Sequence, residues 1–292
     1  MTTMHHVFVY GTLRKHERNE HYLLGDNCIA TQAWVLGNLY DTKRGYPAVI
    51  RNSHNRVYGE IYEVSSDKLK LLDQLEGYVG NERENHYNRD TAKVYTDQGS
   101  MNAIIYLYTE EQGEKLEKID SGNWKCHRLL EHRNDFLYLA YGSCMDHERF
   151  QIAGVNHLFQ EIMGCGIAKN FTLEYRIQRP DGGRADMVEV YDNDWVEGKV
   201  YKINQQALHY LMKREGVASG LYRPAFIDVE IEEVLYPDVL TFLVSNKESE
   251  LAPPEHYAKE ILRGAHPYVS RTYFNKLNDR LRSHFNMDIR ME

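Results

Sequence analysis

Two segments of this chain carry one pattern twice. Residues 57–77, VYGEIYEVSSDKLKLLDQLEG, and residues 196–216, VEGKVYKINQQALHYLMKREG, align without a gap. Val57 meets Val196, Gly59 meets Gly198, and Tyr62 meets Tyr201. Leu69 and Leu72 meet Leu208 and Leu211, and Glu76-Gly77 meets Glu215-Gly216. The offset is constant, since 198 − 59 and 215 − 76 both give 139. An earlier motif repeats at a similar distance: VFVYGTL at 7–13 is answered by LYLAYGSCM at 137–145, with 142 − 11 = 131. Each copy runs an apolar strand into Tyr-Gly, a small hydroxyl residue and an apolar residue. Two units within 292 residues can each close a core, so the repeat reads as a tandem duplication and not as a solenoid.

The local patterns set the fold class. VYGEIYEV and VEGKVYKI read as strands rich in Val, Ile and Tyr. SSDKLKLLDQLEG reads as a capped helix, with Ser or Asp at its start, Leu69, Leu72 and Leu75 on one face, and Gly77 at its end. TAKVYTDQGSMNAIIYLYT predicts a hairpin turning at Asp97-Gln98-Gly99, and IDVEIEEVLYPDVLTFLVS is its counterpart. The stretch after Pro253-Pro254 predicts two helices, with Gly264 near the end of the first. The expected class is α+β, with a small barrel or curled sheet and few helices in each half. The polar segment 109–134, broken by Ser-Gly-Asn at 121–123, reads as a helical tail plus linker. The expected domains are 1–120 and 135–292, joined by a linker at 121–134.

Composition narrows the function. The formal net charge of −8 disfavours a nucleic-acid partner, which needs clustered Lys and Arg. The four cysteines, Cys28, Cys126, Cys144 and Cys165, form no C-x-x-C pair and suit neither a zinc site nor a disulfide framework. The N-terminus lacks the pattern of a signal peptide. No window approaches the roughly 18 apolar residues of a spanning helix. The expectation is a reduced, cytoplasmic protein with no membrane partner and no metal.

Tyr10-Gly11-Thr12-Leu13 and Tyr141-Gly142-Ser143-Cys144-Met145 each read first as a tight turn. They also offer chemistry. A glycine at a strand end lets the backbone approach a ligand, and successive N–H groups there can hold a developing oxyanion. Glu76 and Glu215 read first as solvated surface residues. Yet each is expected at a helix C-terminus, where the dipole disfavours a carboxylate. A backbone nest paired with such a carboxylate suggests an oxyanion binder with a general acid/base.

The first half, through VFVYGTLR, YPAVI at 46–50, VYGEIYEV, LLDQLEGY at 71–78 and Tyr87-x-Arg89, resembles the γ-glutamylamine cyclotransferase branch of the γ-glutamylcyclotransferase-like family. The second half resembles the γ-glutamylcyclotransferase branch through LAYGSCM, GRADMVEV at 183–190, VEGKVYKI and REGVASGLYRP at 214–224. The resemblance covers most of the chain and implies two tandem domains of that family's small β-barrel fold. It implies a small-molecule γ-glutamyl amide as substrate, whose α-amine attacks its own side-chain carbonyl to release 5-oxoproline and an amine. No cofactor is implied. Glu76 and Glu215 would be the acid/base groups. The loops Tyr10–Leu13 and Tyr141–Met145 would bind the glutamyl group, with Tyr87 and Tyr222 beside them. Substrates of such enzymes include γ-glutamyl amino acids, γ-glutamyl-lysine, glutathione and γ-glutamylated natural products such as the aminoglycoside butirosin.

Cys144 departs from the pattern, since the second branch usually carries Asn after YGS. It leaves the second site either altered or idle, or makes Cys144 a nucleophile that would release glutamate. Both halves active, one half active, one half helped by its neighbour, and a non-catalytic binding module all remain open on the residues alone.

Overall fold

The computed structural model describes residues 3–290 and divides the chain into two compact units, Met1–His132 and Arg133–Glu292. The first unit contains β1 (Met4–Val9), β2 (Asn27–Asp41), β3 (Pro47–Ser65), α1 (Ser66–Leu75), β4 (Asn88–Thr96) and β5 (Gly99–Leu107). It continues with a short α2 (Glu110–Gly113), β6 (Glu117–Lys118) and α3 (Trp124–His132). β1 lies antiparallel to β3 and parallel to β5; β5 pairs with β4, β4 with β2, and β2 with β3. The pairing therefore runs round a ring.

The second unit repeats the plan. Its elements are β7 (Asp135–Ala140), α4 (His147–Ile152), β8 (Ile162–Lys169), β9 (Phe171–Arg179), β10 (Gly182–Glu189) and β11 (Trp195–Asn204). They are followed by α5 (Gln205–Arg214), β12 (Tyr222–Ile231), β13 (Val234–Val244), α6 (Glu255–Ala265) and α7 (Arg271–Phe285). β11, β7, β13, β12 and β8 close a barrel, with β7 parallel to β13, and β9–β10 form a separate ribbon. The order of equivalent strands is the same in both units. The chain is thus two tandem α+β barrels, as the repeat predicts.

Alternation along the strands builds the cores. On β1, Phe8 points into the barrel with Val35, Leu39, Val57, Ile61 and Ile105. Its neighbours Val7 and Val9 face the other way, toward Tyr62, Val64, Leu69 and Leu72. Period-two geometry sends neighbours to opposite faces, so one strand serves both the interior and the layer under α1. Gly59 and Gly198 are bare for a packing reason. A Cβ at Gly59 would lie 2.3 Å from the Val9 carbonyl oxygen, and one at Gly198 would lie 2.3 Å from that of Ala140. Each glycine seats the last residue of the strand that leads into Tyr-Gly.

The repeated helices share their ends. Ser65 Oγ accepts from the Lys68 N–H at 3.2 Å to cap α1, and Asn204 Oδ1 accepts from the Ala207 N–H at 3.0 Å to cap α5, each worth about 1 kcal/mol. Both helices close on a glutamate with helical dihedrals, Glu76 (φ −84°, ψ 0°) and Glu215 (φ −79°, ψ 0°). Gly77 and Gly216 follow, both at φ 63°, the left-handed region that ends a helix cheaply only at glycine. The expected hairpins are present as β4–β5 and β12–β13. In the second, Glu232 and Glu233 both take positive φ, 49° and 65°.

The segment 121–134 differs from the expected linker. It carries α3, with Trp124, Cys126 and Leu129 buried. Ser-Gly-Asn is the start of that helix and not a break in the unit. Asn123 Oδ1 accepts from the N–H groups of Lys125 (3.1 Å) and Cys126 (3.4 Å), and from Arg14 Nη1 at 2.9 Å. The Tyr58 N–H donates to the Gly122 carbonyl at 2.8 Å. These bonds tie the segment to the first barrel, and the units divide between His132 and Arg133.

Candidate active site

In the first unit the sequence-predicted residues converge. A cavity of about 200 Å3 is lined by the loop Tyr10–Leu13, by Glu76 and by Tyr87, with Tyr46, Pro47 and Tyr106 around them. Backbone pairing brings the two distant segments together. The His86 N–H donates to the Gly77 carbonyl at 3.0 Å and the Tyr87 N–H to the Glu76 carbonyl at 3.1 Å. The loop itself turns through an Arg14 N–H to Gly11 carbonyl bond of 3.1 Å. Among the described residues, the N–H groups of Gly11, Thr12 and Leu13 have no protein acceptor. Asn19 braces the turn from below, its N–H donating to the Thr12 carbonyl (2.8 Å) and its amide to Thr12 Oγ1 (3.1 Å).

The Glu76 carboxylate is half-buried and has neither a hydrogen-bond nor an ion-pair partner among the described residues. Burial raises its pKa from 4.5 to about 7. The negative end of α1 acts in the same direction. The group can therefore both take and give a proton near neutrality. The tyrosine hydroxyls are committed to the scaffold. Tyr10 donates to the Tyr106 carbonyl at 2.6 Å and Tyr87 to that of Pro47 at 2.7 Å. Their rings shape the wall while each phenol oxygen remains able to accept.

The second unit holds the same constellation in a tighter state. Tyr141 donates to the Phe242 carbonyl at 2.5 Å and Tyr222 to that of Ala185 at 2.6 Å. The turn recurs as a Met145 N–H to Gly142 carbonyl bond of 3.0 Å. Gly142, Ser143, Cys144, Glu215 and Tyr222 line a cavity of only about 30 Å3. Met145 is fully buried and lies outside that lining. Here the carboxylate is engaged. The Cys144 thiol donates to Glu215 Oε1 at 3.3 Å, and Arg214 Nε lies 3.8 Å from the same oxygen. Arg214 also donates to Cys144 Sγ at 3.2 Å and to Ser143 Oγ at 3.4 Å. Burial still raises the Glu215 pKa, with Arg214 and Cys144 opposing. Burial and the Glu215 charge push the Cys144 thiol up to about 12, so it is a poor source of nucleophilic thiolate.

The reason for Gly11 also differs from the sequence-based one. A Cβ there would lie 2.7 Å from the Pro47 ring, so the glycine makes room for a neighbouring strand. The N–H groups stay available because of the turn. Two lining residues carried no motif signal. His86 Nε2 sits 3.2 Å from the Tyr46 hydroxyl and 3.1 Å from that of Tyr108, and burial together with the Arg44 charge lowers its pKa. Arg18 is exposed at the cavity and pairs with no carboxylate among the described residues. The sole hint of His86 was its place beside Tyr87. Among the described residues, no cluster of three His, Cys, Asp or Glu side chains is placed to hold a metal.

Comparison with known proteins identifies the family. Residues 7–126 match the family "Gamma-glutamyl cyclotransferase, AIG2-like", and residues 195–277 match the AIG2-like family. YkqA of Bacillus subtilis is 45% identical over 280 residues, spanning 95% of this chain and 97% of its own. Its crystal structure superposes with a TM-score of 0.86 at 43% identity, covering 99% of this chain and 100% of that one. The γ-L-glutamyl-butirosin B γ-glutamyl cyclotransferase of Niallia circulans is 36% identical over 127 residues, 43% of this chain and 79% of its own. The γ-glutamylcyclotransferase of Bos taurus is 29% identical over 151 residues, 49% of this chain and 77% of its own. Two copies of one barrel, each with a glutamate closing the helix beside a Tyr-Gly turn, thus mark the chain as a tandem member of the γ-glutamylcyclotransferase family and an enzyme of that class.

Proposed function

We propose that the first domain opens a γ-glutamyl amide by cyclisation, with Glu76 as general base and then general acid. One observation carries the reading. Glu76 is unpaired, is held near pH 7 by burial and lines a cavity of about 200 Å3. Glu215 is bound by a thiol, lies close to a guanidinium and has about 30 Å3 beside it. A cavity of the first size suits an amino-acid-sized group, below the roughly 300 Å3 where drug-sized pockets begin.

Glu76 takes a proton from the substrate α-ammonium. The freed amine attacks the γ-carbonyl carbon of the same molecule, forming the C–N bond of the ring. The N–H groups of Gly11, Thr12 and Leu13 stabilise the resulting oxyanion. Glu76 then returns the proton to the leaving nitrogen and takes the extra proton of the ring nitrogen as the oxyanion collapses to the lactam carbonyl. The amide C–N bond breaks, 5-oxoproline departs, and the second proton passes to the released amine, which leaves as its ammonium. Nucleophile and electrophile arrive in one molecule, so positioning supplies several kcal/mol of the acceleration. The second domain, with its carboxylate engaged, does not turn over substrate in this reading.

Arg18 and Arg44 bear on the leaving group. Both are exposed near the cavity, and Arg44 contacts Tyr46 in its wall. Two guanidinium groups repel a polycationic aminoglycoside and accept a neutral or anionic amine. The substrate class we favour is therefore a γ-glutamyl amino acid or simple γ-glutamylamine. The test is mass-spectrometric product analysis on γ-glutamyl amino acids, γ-glutamyl-ε-lysine and a γ-glutamyl aminoglycoside. Release of 5-oxoproline supports the reading, with the aminoglycoside turned over most slowly. Release of glutamate, or binding without turnover, contradicts it.

A further inference from the structure

At position 199 the two copies reverse a buried charge. The offset of 139 pairs Lys199 with Glu60, since 199 − 139 = 60. In the first domain Glu60 is fully engaged. It accepts from Arg14 Nε at 3.0 Å, from the Lys15 N–H at 2.9 Å and from the Tyr62 hydroxyl at 3.0 Å. The earlier offset of 131 pairs Arg14 with Met145, since 14 + 131 = 145. The second domain has therefore lost the cation and replaced the anion by a cation.

Lys199 is only 2% exposed, on a barrel strand. Its ammonium has one hydrogen bond, a long one of 3.4 Å to the Met145 carbonyl. It lies 3.9 Å from the ring centre of Tyr268 and 5.2 Å from that of Tyr201, and has no carboxylate within ion-pair distance among the described residues. A cavity of about 370 Å3 opens beside it, lined also by His147, His266, Tyr268, Asp146 and Arg263. Asp146 acts on the lysine only through space: its ion pair is with Arg263 at 2.5 Å, and Arg263 is shared with Glu148. Burial pushes its pKa down to about 8, with Asp146 opposing. A buried ammonium with one weak acceptor and an adjoining space is costly unless something anionic completes it. The cavity shares no lining residue with the one beside Glu215.

We propose that this cavity is a second ligand site of the enzyme, taking a small oxyanion, carboxylate or phosphate, on the Lys199 ammonium. The tyrosine rings flank the ammonium and leave its remaining N–H groups for the ligand. His147 and His266 supply further donors at the wall. The inference does not depend on the reaction proposed for the first domain.

The test uses the full-length enzyme at constant ionic strength, titrated by calorimetry with inorganic phosphate in one arm and with acetate, glutarate and 5-oxoproline in the other. In parallel, 13C-methyl methionine NMR follows Met145, which lines the cavity. One class should bind saturably, shift the Met145 methyl signal and weaken at least about tenfold in Lys199→Met. Which arm binds identifies the ligand chemistry. If neither arm binds saturably, or if Lys199→Met binds equally well, the proposal is overturned. Should Lys199→Met not fold, the Met145 signal of the wild type decides alone: a saturable shift supports the site and an unmoved signal refutes it.

Discussion

Replacing Glu76 by Gln should stabilise the first domain, increasingly as pH rises from about 4.5 to about 7. The folded protein holds this carboxyl at about 7 against an ordinary 4.5. A folded value above the unfolded one means that the native state binds the extra proton between these pH values, so stability falls as pH rises through that window. At about 1.4 kcal/mol per pH unit, the full penalty is about 3 kcal/mol once Glu76 is ionised. Gln keeps the shape and cannot ionise. The variant should match the wild type near pH 4.5 and exceed it by up to about 3 kcal/mol at pH 8. The assay is urea denaturation of both proteins at half-unit steps from pH 4.5 to 8.5, following the Trp34 and Trp124 fluorescence of the first domain in a Trp195→Phe background. The difference between the two proteins at each pH cancels groups that titrate alike in both. A difference that stays constant with pH, or a variant less stable than wild type at pH 8, would refute the claim that burial strains an unpaired carboxylate.

The same value predicts a kinetic limb: kcat/KM should rise through about pH 7 as Glu76 deprotonates, measured by 5-oxoproline release at saturating and trace substrate. Arg14→Met strands the Glu60 carboxylate in an almost fully buried pair, so denaturation should show a loss of about 3–5 kcal/mol in the first domain. Cys144 is buried, with its thiol held near 12. Peptide mapping after iodoacetamide should find it far less modified than an unfolded control, with 5-oxoproline production unchanged.

Much of the architecture was legible because duplication wrote it twice. The Glu-Gly pair at a helix end reappears in three dimensions as a helical cap followed by a left-handed glycine at both 77 and 216. Strands with period-two patterning and the β4–β5 turn follow from local rules. Segment 121–134 was misread because Ser-Gly-Asn looks like a break. Its role depends on Arg14, more than 100 residues earlier, reaching Asn123. The state of the second site was equally hidden. Cys144 stood out as a departure, but its bond to Glu215 and the placement of Arg214 needed three dimensions. His86 and Arg18 joined the first site through loop geometry that no spacing encodes. Lys199 looked like an ordinary strand residue until its buried surroundings were known.

The measurement closest to the central claim is the rate of 5-oxoproline formation from one γ-glutamyl amide by wild type, Glu76→Gln and Glu215→Gln. Removing a general base typically costs about 10²- to 10⁴-fold. The account predicts a loss of that order in Glu76→Gln, and a rate within about twofold of wild type in Glu215→Gln, whose carboxylate is already engaged. A Glu76→Gln enzyme that still cyclises at the wild-type rate, with activity lost in Glu215→Gln, would contradict it and move the chemistry to the second domain.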